Sequence, residues 1–155
     1  MKLNITKKSP VKILEGSLAI DDRGLVSFVN DFDFPNVKRF YVVENFNTEL
    51  VRAFHGHMKD AKYVYVVSGT ALVVAVKLTR AKNPSKKSLL VKMILSAKKP
   101  QVLYIPPGFA NGFKALEPNT KVVFFSTTTL EQAGDDDYRY PADYWGLKVW
   151  QVENR

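Results

Sequence analysis

The feature that most constrains this chain is a succession of short runs rich in Val, Tyr, Phe and Leu, each closed by a turn signal. The runs are residues 37–43 (VKRFYVV), 62–67 (KYVYVV), 71–78 (ALVVAVKL), 88–94 (SLLVKMI), 101–105 (QVLYI) and 121–126 (KVVFFS). β-Branched and aromatic residues fit a pleated, half-buried surface. Asp22-Arg23-Gly24, Ser68-Gly69, Asn83-Pro84-Ser85, Pro106-Pro107-Gly108 and Glu117-Pro118-Asn119 supply the turns. Strands recurring every 10–15 residues predict an all-β sandwich or barrel. No stretch holds a helical apolar period for three turns, and only residues 134–144 (GDDDYRYPADY) read as a short helix or turn near the C-terminus. The runs flanking Ser68-Gly69 are apolar on both faces, so Tyr63–Val76 is expected to form a central hairpin inside a sandwich.

A length of 155 residues suits one domain spanning 1–155, and such a chain can bury a core without staples. A hydrophobic fraction of 46% with 12% aromatics excludes a disordered chain. No cysteine is present, which excludes disulfide scaffolds, thiolate zinc sites and cysteine nucleophiles and fits a reducing compartment. The 23 basic and 15 acidic residues leave a net charge of +8. A positive field attracts anions. The bases are scattered in pairs such as Lys38-Arg39, Lys86-Lys87 and Lys98-Lys99. We therefore expect a solvated basic surface that serves an anionic small ligand, with no nucleic-acid partner. The N-terminal MKLNITKKSPVKI lacks the apolar core of a signal peptide. The longest apolar stretch, Tyr63–Val76, is interrupted by Ser68-Gly69-Thr70 and is too short to span a bilayer. No membrane partner and a cytoplasmic location are expected.

The most specific local pattern is His55-Gly56-His57. Side chains at i and i+2 of a strand share a face, so both imidazoles point either into a pocket or at solvent. Lys62 and Gly69 follow, and then Pro106-Pro107-Gly108-Phe109-Ala110-Asn111. This spacing resembles the two motifs of the cupin superfamily, His-x-His with a Glu and a Gly, then Pro-x-Gly and a His. The resemblance implies a jelly-roll β-sandwich with a short C-terminal helix or turn.

Within that superfamily the chain resembles the dTDP-4-dehydrorhamnose 3,5-epimerase family. Asp21-Asp22-Arg23-Gly24 matches its Asp-x-Arg-Gly element. Arg52-Ala53-Phe54-His55 matches Arg-Gly-Leu-His with Gly changed to Ala, and Asp60-Ala61-Lys62-Tyr63-Val64 matches Gln-Ala-Lys-Leu-Val. Residues 105–113 (IPPGFANGF) match Ile-Pro-x-Gly-Phe-Ala-His-Gly-Phe except at Asn111. The chain is also similar to dTDP-4-keto-6-deoxyglucose 3,4-ketoisomerases, whose Arg-Gly-x-His-Ala-His resembles Arg52 through His57 and whose Lys-Arg-x-Tyr resembles Lys38-Arg39-Phe40-Tyr41.

These resemblances imply an isomerase acting on a nucleotide-diphosphate sugar with a 4-keto-6-deoxy ring, in cell-surface carbohydrate biosynthesis. A metal cupin needs a Glu and a third His where Lys62 and Asn111 stand. An ammonium there opposes a divalent cation and only two ligands remain, so no metal and no cofactor is expected. The same residues suit acid–base work, which needs a base near the C–H and a cation near the enolate oxygen. The family pattern gives His55 the base role, Lys62 the enolate, and Arg52 a substrate or phosphate contact. Strict alternation puts Arg52 opposite His55, and a bulge near Ala53 would bring it back. Arg23 and Asn111 are further expected substrate contacts.

The family's catalytic Tyr has no counterpart in residues 125–131 (FSTTTLE). Tyr138 is the expected downstream replacement as a substrate contact. Tyr138, Tyr140 and Tyr144, as aromatics near the C-terminus, otherwise cover a core, and Tyr104 and Tyr65 remain further pocket candidates. His57 is an alternative second proton carrier, and proton movement at one carbon is therefore expected. The family's Asp partner of the catalytic His falls on Asp143, while Asp135-Asp136-Asp137 reads as a solvated turn or cap. The resemblance also implies a homodimer formed through residues 22–29.

Overall fold

The computed structural model describes residues 9–154. Residues 1–8 of the segment read for a leader, and the ends of the expected 1–155 domain, lie outside the described residues. Strand accounts for 48% of the residues and helix for 6%, which makes the chain all-β, as expected.

The strands are β1 (Lys12–Glu15), β2 (Ser17–Asp21), β3 (Gly24–Phe28), β4 (Arg39–Glu44), β5 (Val51–His57), β6 (Lys62–Ser68), β7 (Thr70–Lys77), β8 (Leu90–Ser96), β9 (Gln101–Ile105), β10 (Phe109–Ala115), β11 (Lys121–Ser126) and β12 (Tyr138–Arg139). A one-turn helix α1 (Leu130–Gly134) precedes β12, and a 3-10 turn covers Leu147–Trp150. The segment expected as a C-terminal helix or turn thus holds β12 and a turn closed by Tyr144 N donating to Pro141 O.

Two five-stranded antiparallel sheets face each other, ordered β1-β9-β6-β11-β4 and β12-β5-β10-β7-β8. Between them lie Val64, Val66, Leu103, Ile105, Val122 and Phe124 from the first sheet and Ala71, Val73, Ala75, Val91, Met93 and Phe113 from the second. A second cluster covers the outer face of the second sheet, where Leu72, Val74 and Val76 pack with Phe54, Tyr140 and Trp150. β7 is therefore apolar on both faces because it contributes alternate residues to two cores. The C-terminal aromatics cover a core, as the sequence suggested.

Tyr63–Val76 does not form a hairpin. β6 is bonded to β9 and β11, whereas β7 is bonded to β8 and β10 in the opposite sheet. Ser68 pairs with Lys121 and Thr70 pairs with Ser96, so the Ser68-Gly69 turn carries the chain across the sandwich. Gly69 has φ +73° and presses on Thr120, whose Cα would lie 2.9 Å from a Cβ placed there. Among the described residues β2 and β3 pair only with each other and form a two-stranded sheet of their own.

Candidate active site

β5 presents the histidines. It pairs with β10, placing His55 opposite Asn111 and His57 opposite Phe109. Gly56 points to the other face, where a Cβ would lie 2.8 Å from the Tyr140 ring and 3.0 Å from Leu78. Alternation then turns His55 and His57 together toward the cleft between the sheets.

Arg52 reaches the same cleft through a bulge. Arg52 and His55 are three positions apart, but their partners Phe113 and Asn111 are only two apart. The extra residue restores Arg52 to the face of His55, as expected from the conflict around Ala53. Gly112 lies across the bulge. A Cβ there would run into the Ala53 side chain and sit 2.6 Å from the Arg52 carbonyl.

The cleft is a cavity of about 390 Å³, within the range of small-ligand sites. Arg52, His55, His57, Lys62 and Asn111 all line it, so five of the expected residues converge. Arg39 and Tyr41 of β4 join them, with Phe113 and Phe124 beneath. Leu130, Ala133 and Gly134 of α1 form an apolar rim, and Asp137 stands beside it.

Each imidazole is held at Nδ1. Asp137 Oδ1 lies 3.5 Å from His55 Nδ1, and Asp137 Oδ2 accepts from Arg139 Nε at 3.0 Å. Burial pushes the Asp137 carboxyl up, but Arg139 and His55 outweigh it and hold the group below its ordinary range. His57 Nδ1 lies 2.7 Å from the Asp136 carbonyl, which only accepts, so the Nδ1 proton is donated there. Nε2 of a neutral His57 is then left as an acceptor. Burial and the nearby Lys62 charge lower the His57 pKa, more than Asp136 and Asp60 raise it.

Lys62 is buried and its Nζ lies 2.6 Å from Asp60 Oδ2. Nζ also donates to Ser126 Oγ at 3.2 Å and stands 5.4 Å from the Tyr41 ring centroid. Asp60 accepts from Ser126 Oγ at 2.8 Å, Thr127 N at 2.9 Å and Thr127 Oγ1 at 3.0 Å. Burial raises the Asp60 pKa, but Lys62, Ser126 and Thr127 together hold it below the ordinary range. Arg52 Nε donates to Asn45 Oδ1 at 2.9 Å, and Arg39 lies 5.1 Å from the centroid of the same Tyr41 ring. Tyr41 stacks on Phe124 at 5.4 Å between ring centroids.

Three expected site residues lie elsewhere. Asp143 is exposed in the turn after β12, and the carboxylate beside His55 belongs to Asp137. The antiparallel pairing of Arg139 with His55 brings Asp137 there. Tyr138 pairs with Gly56 rather than His55, so its ring joins the outer cluster and a separate hollow with Lys82 and Tyr140. Arg23 is exposed at the β2–β3 turn, bonded to Asp21 at 2.6 Å, and does not line the cavity. Tyr104 packs against Tyr63 and, like Tyr65, is absent from the cavity wall.

The acidic triplet also departs from the solvated reading. Asp135 ends α1, but Asp136 is buried, and its carboxylate accepts from the backbone N of Met58 (2.7 Å), Lys59 (2.9 Å) and Asp60 (3.0 Å). Sequence reasoning missed Asp60, Asp136 and Asp137 as site residues. Tyr41 and Arg39 had a signal in the Lys-Arg-x-Tyr match. Among the described residues no group of three or more His, Cys, Asp or Glu side chains gathers as a metal site, and no helix is long and apolar enough to cross a membrane.

Known proteins resemble this chain in sequence and fold. A family model described as dTDP-4-dehydrorhamnose 3,5-epimerase matches residues 9–150. A comparison with curated proteins gives no match. Among solved structures, dTDP-4-dehydrorhamnose 3,5-epimerase from Sulfolobus tokodaii is 25% identical, with 99% of this chain and 92% of that one covered and a TM-score of 0.73. NovW, a 4-keto-6-deoxy sugar epimerase of Streptomyces spheroides, is 18% identical over 98% of this chain and 80% of that one, with a TM-score of 0.75. The sugar 3,4-ketoisomerase QdtA of Thermoanaerobacterium thermosaccharolyticum, solved with TDP, is 16% identical over 87% and 91%, with a TM-score of 0.65. The last two likenesses bear on the fold alone.

Proposed function

The chain belongs to the dTDP-4-dehydrorhamnose 3,5-epimerase family, and on that premise we propose that it isomerises a nucleotide-linked 4-keto-6-deoxysugar by metal-free proton transfer next to the ketone. The observation that carries this reading is the meeting of His55, braced by Asp137, with the Lys62 ammonium in one cavity. A C–H beside a carbonyl becomes labile when a base and an oxyanion partner are both in place. His55 Nε2 takes the proton from the carbon next to C4. The C–H electron pair forms the C=C bond, and the carbonyl oxygen becomes an enolate oxygen facing Lys62. Returning the proton to the same carbon from the other face gives an epimer. Moving the O3 proton and protonating C4 instead gives a 3,4-ketoisomer.

Arg39 and Arg52, which also line the cavity, suit the diphosphate, since a guanidinium fork matches phosphate oxygens. Asn111 is a substrate hydrogen-bonding group. The family's catalytic Tyr has no counterpart in residues 125–131, and proton movement is accordingly proposed at one carbon. The second reading, a 3,4-ketoisomerase, is favoured by His57, whose tied Nδ1 leaves Nε2 for a second transfer. A homodimer formed through the β2–β3 ribbon, and a place in cell-surface carbohydrate biosynthesis, complete the proposal.

The test is product analysis after incubation with dTDP- and GDP-linked 4-keto-6-deoxysugars. A new epimer or ketoisomer, lost in His55→Ala, supports the reading. Unchanged sugars that nevertheless bind would make the protein a non-catalytic sugar-nucleotide binder.

A further inference from the structure

Lys62 is the one cation in the cavity whose side chain is almost wholly withdrawn from solvent, at 3% exposure, and the Asp60 side chain beside it is 0% exposed. A buried ammonium is costly unless a partner compensates it. The Asp60 carboxylate is held from three sides. Ser126 Oγ, Thr127 N and Thr127 Oγ1 donate to it, and the Lys62 ammonium completes the set. An ammonium has three N–H donors. Asp60 Oδ2 and Ser126 Oγ take two of those on Lys62, and the third remains for the cavity that Lys62 lines.

We propose that Asp60 is a positioning residue for the reaction: its buried carboxylate anchors the Lys62 ammonium on the cavity wall and leaves one N–H for the substrate's carbonyl oxygen. This rests on the proton-transfer reading above. The arrangement distinguishes anchoring from general binding. Asp60 does not touch substrate, so its loss weakens the interaction that grows as the enolate forms and leaves ground-state binding at the arginines intact. Such a residue acts on kcat more than on KM.

The electrostatic consequence reaches His57. Lys62 and Asp60 face it from the β6 side and Asp136 from the segment before β12, with His55 on its own strand. Lys62 lowers the His57 pKa and Asp60 raises it.

The experiment uses Asp60→Asn, Lys62→Met and Ser126→Ala in the full chain, each checked for folding by thermal melting. With a turned-over 4-keto-6-deoxysugar nucleotide, Asp60→Asn is expected to lose about 10–100-fold in kcat with KM within about threefold, the pattern of a transition-state interaction. Ser126→Ala, which trims the same anchor, loses less in the same direction and carries the test if Asp60→Asn does not fold. NMR titration of the His57 imidazole needs no substrate. Its midpoint should fall in Asp60→Asn, where the Lys62 charge is unopposed, and rise in Lys62→Met. Wild-type kcat in the folded Asp60→Asn or, if that variant does not fold, in Ser126→Ala overturns the proposal. So does a His57 midpoint that stays put in both folded charge variants. If no 4-keto sugar is turned over, the function fails, and the His57 titration still tests the Lys62–Asp60 charge arrangement on which the anchor stands.

Discussion

Asp136→Ala should be strongly destabilising, although Asp136 makes no substrate contact. The Asp136 carboxylate accepts from Met58 N, Lys59 N and Asp60 N, and its backbone carbonyl accepts from His57. The alanine keeps the carbonyl and removes all three carboxylate bonds. Met58 and Lys59 are exposed, so water can replace their acceptor at about 0.5–1 kcal/mol each, while Asp60 is only 2% exposed and its N–H loses its acceptor outright, at about 2–3 kcal/mol. The sum is about 3–5 kcal/mol. For a chain of this size each kcal/mol moves Tm by about 2–4 °C, so a fall of about 10 °C is expected in differential scanning calorimetry. Asp136→Asn retains one acceptor oxygen and should fall about half as far. Because the same turn carries Lys62 and His57, substrate turnover should drop in both variants at temperatures where they remain folded. A melting point within about 2 °C of wild type for Asp136→Ala would refute the claim that this carboxylate holds the turn.

His55→Ala should fold normally and lose about 10²–10⁴-fold in substrate proton exchange, the usual effect of removing a general base. Gly112→Ala should lower stability by about 1–3 kcal/mol in denaturant melts and reduce activity, because a Cβ there displaces the bulge that presents Arg52. Acid should destabilise the fold through His57. Its folded pKa lies below the ordinary imidazole value, so the unfolded chain takes up the proton first, and stability present above the ordinary value of 6.5 is lost as pH falls from there toward the lowered folded one. Denaturation series for wild type and His57→Gln should show a flatter acid limb in the variant, with the Asp60 loss confined to pH below about 4.

Much of the fold was legible because strands such as β9 and β11 begin and end where their apolar runs do. Pairing was less legible. Residues 62–78 look the same whether the turn at Gly69 folds a strand back on its neighbour or sends it across the sandwich, since both strands are apolar on both faces. Only the long-range bonds of β6 to β9 and β11 and of β7 to β8 and β10 decide between them. In the site, His55, His57, Lys62 and Asn111 were legible from spacing, and the Arg52 bulge from a conflict with strict alternation. Asp136 and Asp137 were not. Three consecutive aspartates read as solvent-facing, and their role arises from pairing β12 with a strand about 80 residues earlier, as in the Asp136–His57 bond across 79 positions. That same register separates Asp137 from Asp143 and turns Tyr138 away from the cavity.

The most direct test of the account is deuterium incorporation by NMR during incubation of a nucleotide-linked 4-keto-6-deoxysugar with the wild-type protein in heavy water. His55 as base and Lys62 at the carbonyl oxygen predict His55-dependent incorporation at one carbon beside the ketone. Incorporation at C3 and C5 at similar rates would contradict the single-site claim, and incorporation at neither would contradict proton transfer itself.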